Sequence, residues 1–225
     1  LVPAFTFEDP TLTFTVPKYQ TAAGATDIVS HLLEQYFTSH NAEGLPDRLT
    51  EAMMINVINY AKTAILEPDN YDARANLMWT SSLALNNLVT YGKKHGDWAS
   101  HGIEHEVSAI YDITHGAGLA ILFPNVLKYY LDKDIEESLP LTKFLNLGKN
   151  VFNVTSSDDK AAAYETIEKL RAFFNSLDMP SKLHEENVDA SKIDVMAKGA
   201  ARNGTLGYYH MIGEKDVLEI LKNSL

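Results

Sequence analysis

Cysteine is absent from this 225-residue chain. Disulfide frameworks and thiolate metal sites are therefore excluded, and any bound metal must take nitrogen and oxygen ligands. Long apolar runs are missing too. The longest, Leu119 to Phe123, stops at Pro124 and falls far short of the roughly 20 residues a membrane-crossing helix needs. Positive charge is scarce: 19 Lys and Arg stand against 30 Asp and Glu, for a formal net charge of -11. Such a surface repels a phosphate backbone and excludes nucleic acid as a partner. The first residues, Leu1 to Phe7, lack the basic region and apolar stretch of a signal peptide, and they lack an initiator Met. The chain is thus expected to begin inside a larger polypeptide, and its cysteine-free, acidic composition fits a cytoplasmic protein.

With 45% hydrophobic residues the chain can fill a real core. Residues 1 to 16 are rich in Phe, Thr and Val around Asp9-Pro10 and read as one or two short extended segments. After Pro17 the apolar residues recur at helical spacing through Ala22 to Phe37, Ala52 to Leu66, Tyr71 to Leu88, Trp98 to Ile110, Leu119 to Leu131, Leu141 to Phe152 and Ala161 to Leu177. Shorter helices are expected over Ile193 to Ala201 and Asp216 to Leu221. Turn-forming clusters such as Glu67-Pro68-Asp69-Asn70 separate these stretches, and no linker divides them, so residues 17 to 225 read as one mainly α, multi-helix domain.

Histidines His95, His101, His105 and His115 crowd one short stretch, and upstream lie Asp27 and His31. Neutral imidazole is the commonest side-chain metal ligand, so the cluster points to metal binding, proton transfer or both. Asp27 and His31 are four residues apart on a helical pattern and share one face, as do His101 and His105. Alone, the first pair reads more simply as a helix charge pair or exposed polar stripe, and the second as a surface or satisfied core histidine pair. His115 sets the geometric condition, because fourteen residues of unbroken helix would hold it about 21 Å from His101. If one ion binds both, the helix must end between Ile110 and His115. Asp112-Ile113-Thr114 followed by Gly116-Ala117-Gly118 offers that break. A carboxylate and imidazoles suit Fe(II), Zn(II) or a related divalent ion and leave it positive enough to act as a Lewis acid.

The segments Asp9-Pro10-Thr11-Leu12-Thr13-Phe14-Thr15-Val16-Pro17, Gly24-Ala25-Thr26-Asp27-Ile28-Val29-Ser30-His31 and Asp97-Trp98-Ala99-Ser100-His101 through His115-Gly116-Ala117-Gly118-Leu119-Ala120 resemble the iron-containing (group III) alcohol dehydrogenases, most like the NAD(P)H-dependent butanol dehydrogenase branch. The resemblance implies the multi-helix C-terminal domain of the iron-containing alcohol dehydrogenase and dehydroquinate synthase-like fold. It implies Asp27, His31, His101 and His115 as metal ligands for Fe2+, with Zn2+ or another divalent metal as substitutes. It places His105 beside the nicotinamide and substrate as a catalytic and cofactor-binding residue, and Leu12 and Thr15 near the cofactor. It further implies a small alcohol or aldehyde substrate, NAD(P)H and a homodimer. The family's glycine-rich phosphate loop is missing here, since Gly116-Ala117-Gly118 follows a histidine instead of an apolar strand. The chain therefore looks like the helical, metal-binding half, with residues 1 to 16 as the edge of a nucleotide-binding half. Alone it is expected to hold metal without turning over.

Rival readings are a helical metal phosphohydrolase, a di-iron carboxylate bundle and a non-enzymatic helical module. The first wants a His-Asp dipeptide and the second paired Glu-x-x-His motifs, and neither pattern occurs. Met53, Met54, Trp79, Phe173 and Phe174 read as core, and His184 and His210 as surface or local hydrogen-bonding residues. Asp132 to Glu137 reads as a solvated loop and helix start.

Overall fold

The computed structural model describes residues 3–93 and 95–225, so Leu1 and Val2 of the expected extended segment lie outside the described residues. Among those residues nine α-helices follow one another: α1 Lys18–Tyr36, α2 Leu45–Leu66, α3 Tyr71–Ala84, α4 Ala99–Tyr111, α5 His115–Glu136, α6 Thr142–Val151, α7 Asp159–Ser176, α8 Ile193–Ala200 and α9 Glu214–Ser224. No strand forms there; Leu206 and Ile212 make one isolated bridge. The all-α reading holds, and every helix inferred from apolar spacing is present.

The N-terminal segment differs from the expected strands. Residues 3–9 are irregular, and Pro10–Thr13 then forms a 3-10 helix capped by Asp9, whose carboxylate accepts from Thr11 N at 3.0 Å. Its β-forming residues find no neighbouring strand to pair with, so the local Asp-Pro capping preference decides the conformation.

Side-chain caps start several helices: Asn70 accepts from Ala73 N at α3, and Asp158 from Ala161 N at α7. The core centres on α5, which packs against α1, α4, α7 and α9. Leu119, Ile121, Leu122, Val126 and Leu131 of this helix are fully enclosed. Its start is pressed against α1: a Cβ on Gly116 would sit 2.2 Å from the Ala23 carbonyl oxygen. Only glycine permits that approach, and the approach sets His115 against α1.

Met53, Met54, Phe173 and Phe174 are buried as expected, but Trp79 is 60% exposed. The buried row of α3 runs through Ala73, Leu77, Thr80 and Ala84. Trp79 lies two residues from Leu77, on the opposite side of the helix, where it lines a groove with Pro10 and Tyr71.

Candidate metal centre

Three helices deliver the site. On α1, Asp27, His31 and Glu34 recur at helical spacing along one face. On α4, His101, Glu104 and His105 do the same. Between α4 and α5 the chain turns within Asp112–Thr114, with Asp112 in the left-handed region at φ 53°. His115 is the first residue of α5, and the turn brings its ring centroid to 5.3 Å from that of His101. The helix break required for one shared ion is therefore present.

The ligand atoms face one another. Asp27 Oδ1 lies 3.7 Å from His101 Nε2 and 3.5 Å from His115 Nε2. Two atoms held about 2.1 Å from a tetrahedral ion lie roughly 3.4 Å apart, so these separations leave room for one. Among the described residues, Asp27, His101 and His115 form one of the few groups whose donor atoms converge this closely. Asp27 Oδ1 and His101 Nε2 are buried and make no hydrogen bond. Orphaned buried polar atoms are costly and rare, and a cation between them would satisfy both.

The outer ring nitrogens explain why the inner ones are bare. His101 Nδ1 donates to Glu34 Oε1 at 2.9 Å, His115 Nδ1 to Glu104 Oε2, and His31 Nδ1 to the Asp27 carbonyl at 2.9 Å. His101 and His115 direct Nδ1 outward to a glutamate, so Nε2 is the nitrogen turned toward Asp27, and in the neutral ring it has a lone pair to offer as ligand. The ring of His31 stands 4.6 Å from that of His101, but its Nδ1 lies 3.2 Å from Asp27 Oδ1 and His31 is not among the residues whose donor atoms converge, so the structure brings together three of the four expected ligands.

Charge at the site favours a cation. Burial alone would favour a neutral Asp27, but the neighbouring imidazoles of His101, His31 and His115 outweigh it and hold the carboxyl well below the usual range. Burial likewise opposes a charged His101, yet Asp27 and Glu34 push it up to about 9. The two carboxylates thus favour positive charge at this point, which a proton on His101 or a divalent ion that displaces it can supply, and the donor set fits Fe2+ or Zn2+.

His105 is exposed, its ring stacked 5.5 Å from His115 and 6.3 Å from His101. Leu12 and Thr15 are exposed, and neither lines the cavity of about 320 Å³ beside Asp27, which is walled by their neighbours Thr13 and Val16 together with Gly24 and Arg74. Sequence reasoning passed over Glu34 and Glu104, both buried, and Trp98, whose ring stands edge-on to His31 and His101. The seven-residue spacing of Asp27 and Glu34 and the three-residue spacing of His101 and Glu104 were the available signals.

His210, read as a surface or local residue, instead meets the carboxylate of Asp134 at 2.6 Å, beside His40 at 3.0 Å. Asp134 itself is not in a solvated loop: it lies in the last turns of α5 and is fully buried. Three donors from distant loops, the third being Tyr209, make that burial possible. His184 is exposed and bonds the Leu225 carbonyl.

The family model of the C-terminal part of the Fe-containing alcohol dehydrogenases matches residues 21–225. The chain belongs to that family. It is 48% identical over 225 residues to NADH-dependent butanol dehydrogenase A of Clostridium acetobutylicum, covering 99% of this chain and 56% of that protein. It is 34% identical to the NADPH-dependent aldehyde reductase YqhD of Escherichia coli, over 93% of this chain and 53% of that one. The fold superposes on the crystal structure of NADH-dependent butanol dehydrogenase A from Thermotoga maritima with a TM-score of 0.87 at 32% identity, covering 96% of this chain and 55% of that one. This member of the Fe-containing alcohol dehydrogenase family thus spans about half the length of the relatives it matches.

Proposed function

We propose that this chain is the metal-binding half of an NAD(P)-dependent alcohol dehydrogenase that interconverts primary alcohols and aldehydes. One observation carries the reading: Asp27 Oδ1 and His101 Nε2 face each other across 3.7 Å, buried and unbonded, with His115 Nε2 alongside. In it, Asp27, His31, His101 and His115 hold one divalent ion, Fe2+ first and Zn2+ as a substitute. Residues 17–225 are the all-α unit, and residues 1–16 are the edge of a nucleotide-binding half.

When bound, the ion supplies Lewis acidity toward a substrate oxygen, and a nicotinamide cofactor carries the hydride. The chain's own residues do the rest. Asp27 stays anionic beside the imidazoles and balances the ion's charge. His105, exposed and stacked on His115, holds or passes a proton at the open side of the cluster. Trp98, edge-on to His31 and His101, walls the cluster. Leu12 and Thr15 serve as cofactor contacts toward the nucleotide-binding half. The names of the relatives support both NADH and NADPH as hydride donors and small aldehydes as substrates. Homodimer formation and a cytoplasmic location belong to the same reading.

The test joins this chain to a nucleotide-binding half and follows butanal reduction with NADH and NADPH. Activity is expected, lost on chelation and in His101→Ala. Full activity in either case refutes the assignment.

A further inference from the structure

Resting on the metal reading above, we propose that Glu34 and Glu104 are positioning residues that key each ligand-bearing helix to the next. Glu34 of α1 reaches α4: Oε1 accepts from His101 Nδ1 at 2.9 Å and from His101 N at 3.0 Å, and Oε2 from Trp98 N at 2.6 Å. Glu104 of α4 reaches α5, where it accepts from His115 Nδ1. Of the three site helices, α1 and α4 thus each carry metal-facing residues and one glutamate that orients an imidazole on the next, α4 and α5 respectively.

The arrangement does more than hold the helices together. Glu104 is fully enclosed, and its side-chain partners are His115 Nδ1 and the Ser108 hydroxyl. A buried carboxylate is expensive unless it is paired, and an apolar side chain would pack α4 on α5 at lower cost. Room is kept for it: a Cβ on Gly118 would meet Glu104 Oε1 at 2.7 Å. What the carboxylate adds is a fixed tautomer, Nδ1 protonated and Nε2 bare, and a more basic ligand nitrogen. Glu34 does the same for His101. It also accepts from the backbone amides of the cap residue Trp98 and of His101 in the first turn of α4, a helix for which the Trp98 side chain makes no cap. Ligand orientation and helix initiation are therefore joined in one carboxylate.

Zn2+ affinity of the chain, measured by competition with a chromophoric chelator, tests this. Glu104→Gln keeps the shape and one acceptor and is expected to weaken binding about 10-fold, and Glu104→Ala about 100-fold, with Glu34→Gln following the first. Glu51→Gln is the control, because Glu51 is also buried but bonds Tyr36 and Arg48. Its affinity is expected to match wild type. Equal affinity of Glu104→Ala and wild type overturns the glutamate roles alone, whereas a wild-type chain that binds no Zn2+ overturns the metal reading with them. Should the variants fail to fold, nitrogen-15 NMR of the histidines in the Zn2+-loaded wild type decides: Nδ1 protonated and Nε2 ligated in His101 and His115 is expected. Ligation through Nδ1 in either ring overturns the proposal.

Discussion

Asp27 and Asp134 each gather histidines, yet the two clusters are built for opposite purposes. At Asp134 the imidazole nitrogens of His40 and His210 stand 3.0 and 2.6 Å from one carboxylate oxygen, and the Tyr209 hydroxyl stands 2.7 Å from the other. These are hydrogen-bond lengths, and protons fill the gaps. At Asp27 the Nε2 atoms of His115 and His101 stay 3.5 and 3.7 Å away while their Nδ1 atoms bond Glu104 and Glu34, and the closer His31 Nδ1, at 3.2 Å, also bonds the Asp27 carbonyl. Residue types are nearly the same in the two places. What differs is the outer hydrogen-bond partner, and on the proposed reading that partner decides whether the centre faces a proton or a cation.

The sharpest way to break this comparison is to remove one imidazole from each cluster. His101→Ala is expected to lower metal affinity by more than the about 100-fold that loss of an outer partner typically costs. His210→Ala is expected to leave the affinity unchanged. Chelator competition and elemental analysis measure both, and parallel losses would mean that Asp134 also holds metal.

Removing the carboxylate of the second cluster should act on stability instead. Asp134→Ala leaves Tyr209, His40 and His210 without their buried acceptor, at a cost of about 3 kcal/mol. Urea unfolding is expected to report that loss while Zn2+ affinity stays at the wild-type value. A stable variant would mean that water or other groups satisfy the three donors.

Much of this comparison was legible in the residue pattern, and the illegible part has a common cause. Apolar spacing located the helices, and the distance from His101 to His115 demanded the break that Asp112–Thr114 supplies. Glu34 and Glu104 looked like ordinary helix glutamates, since nothing local says that a carboxylate is buried against another helix. Asp134 sits among Asp132, Lys133, Glu136 and Glu137, and that local charge reads as solvent-facing. Its donors lie 94, 75 and 76 positions away in the chain. Trp79 fails in the reverse direction: its hydrophobicity suggests core, while its register on α3 turns it outward.

A third buried aspartate, Asp97, sharpens the comparison by an effect that depends on pH. Its Oδ1 accepts from Tyr208 N and Tyr209 N, each at 2.7 Å, and its Oδ2 from the Tyr130 hydroxyl at 2.7 Å, with no imidazole among the partners. Burial, then the neighbouring Glu34 carboxylate, push it up to about 7 from 3.8, against the pull of those three donors. The sign follows from proton counting. Between about 4 and 7 the folded chain keeps a proton on Asp97 that the unfolded chain has released, so stability falls as pH rises through that window and levels off above it. Asp97→Asn keeps the acceptor for the two amides and carries no charge. Relative to wild type it is expected to gain stability steadily from pH 4 to pH 7 and to hold that gain at higher pH, as read by urea unfolding. Parallel pH profiles for the two proteins would show that Asp97 is ionised throughout. Its three donors would then suffice without any counter-charge, and imidazole would not be what distinguishes the carboxylates of this fold.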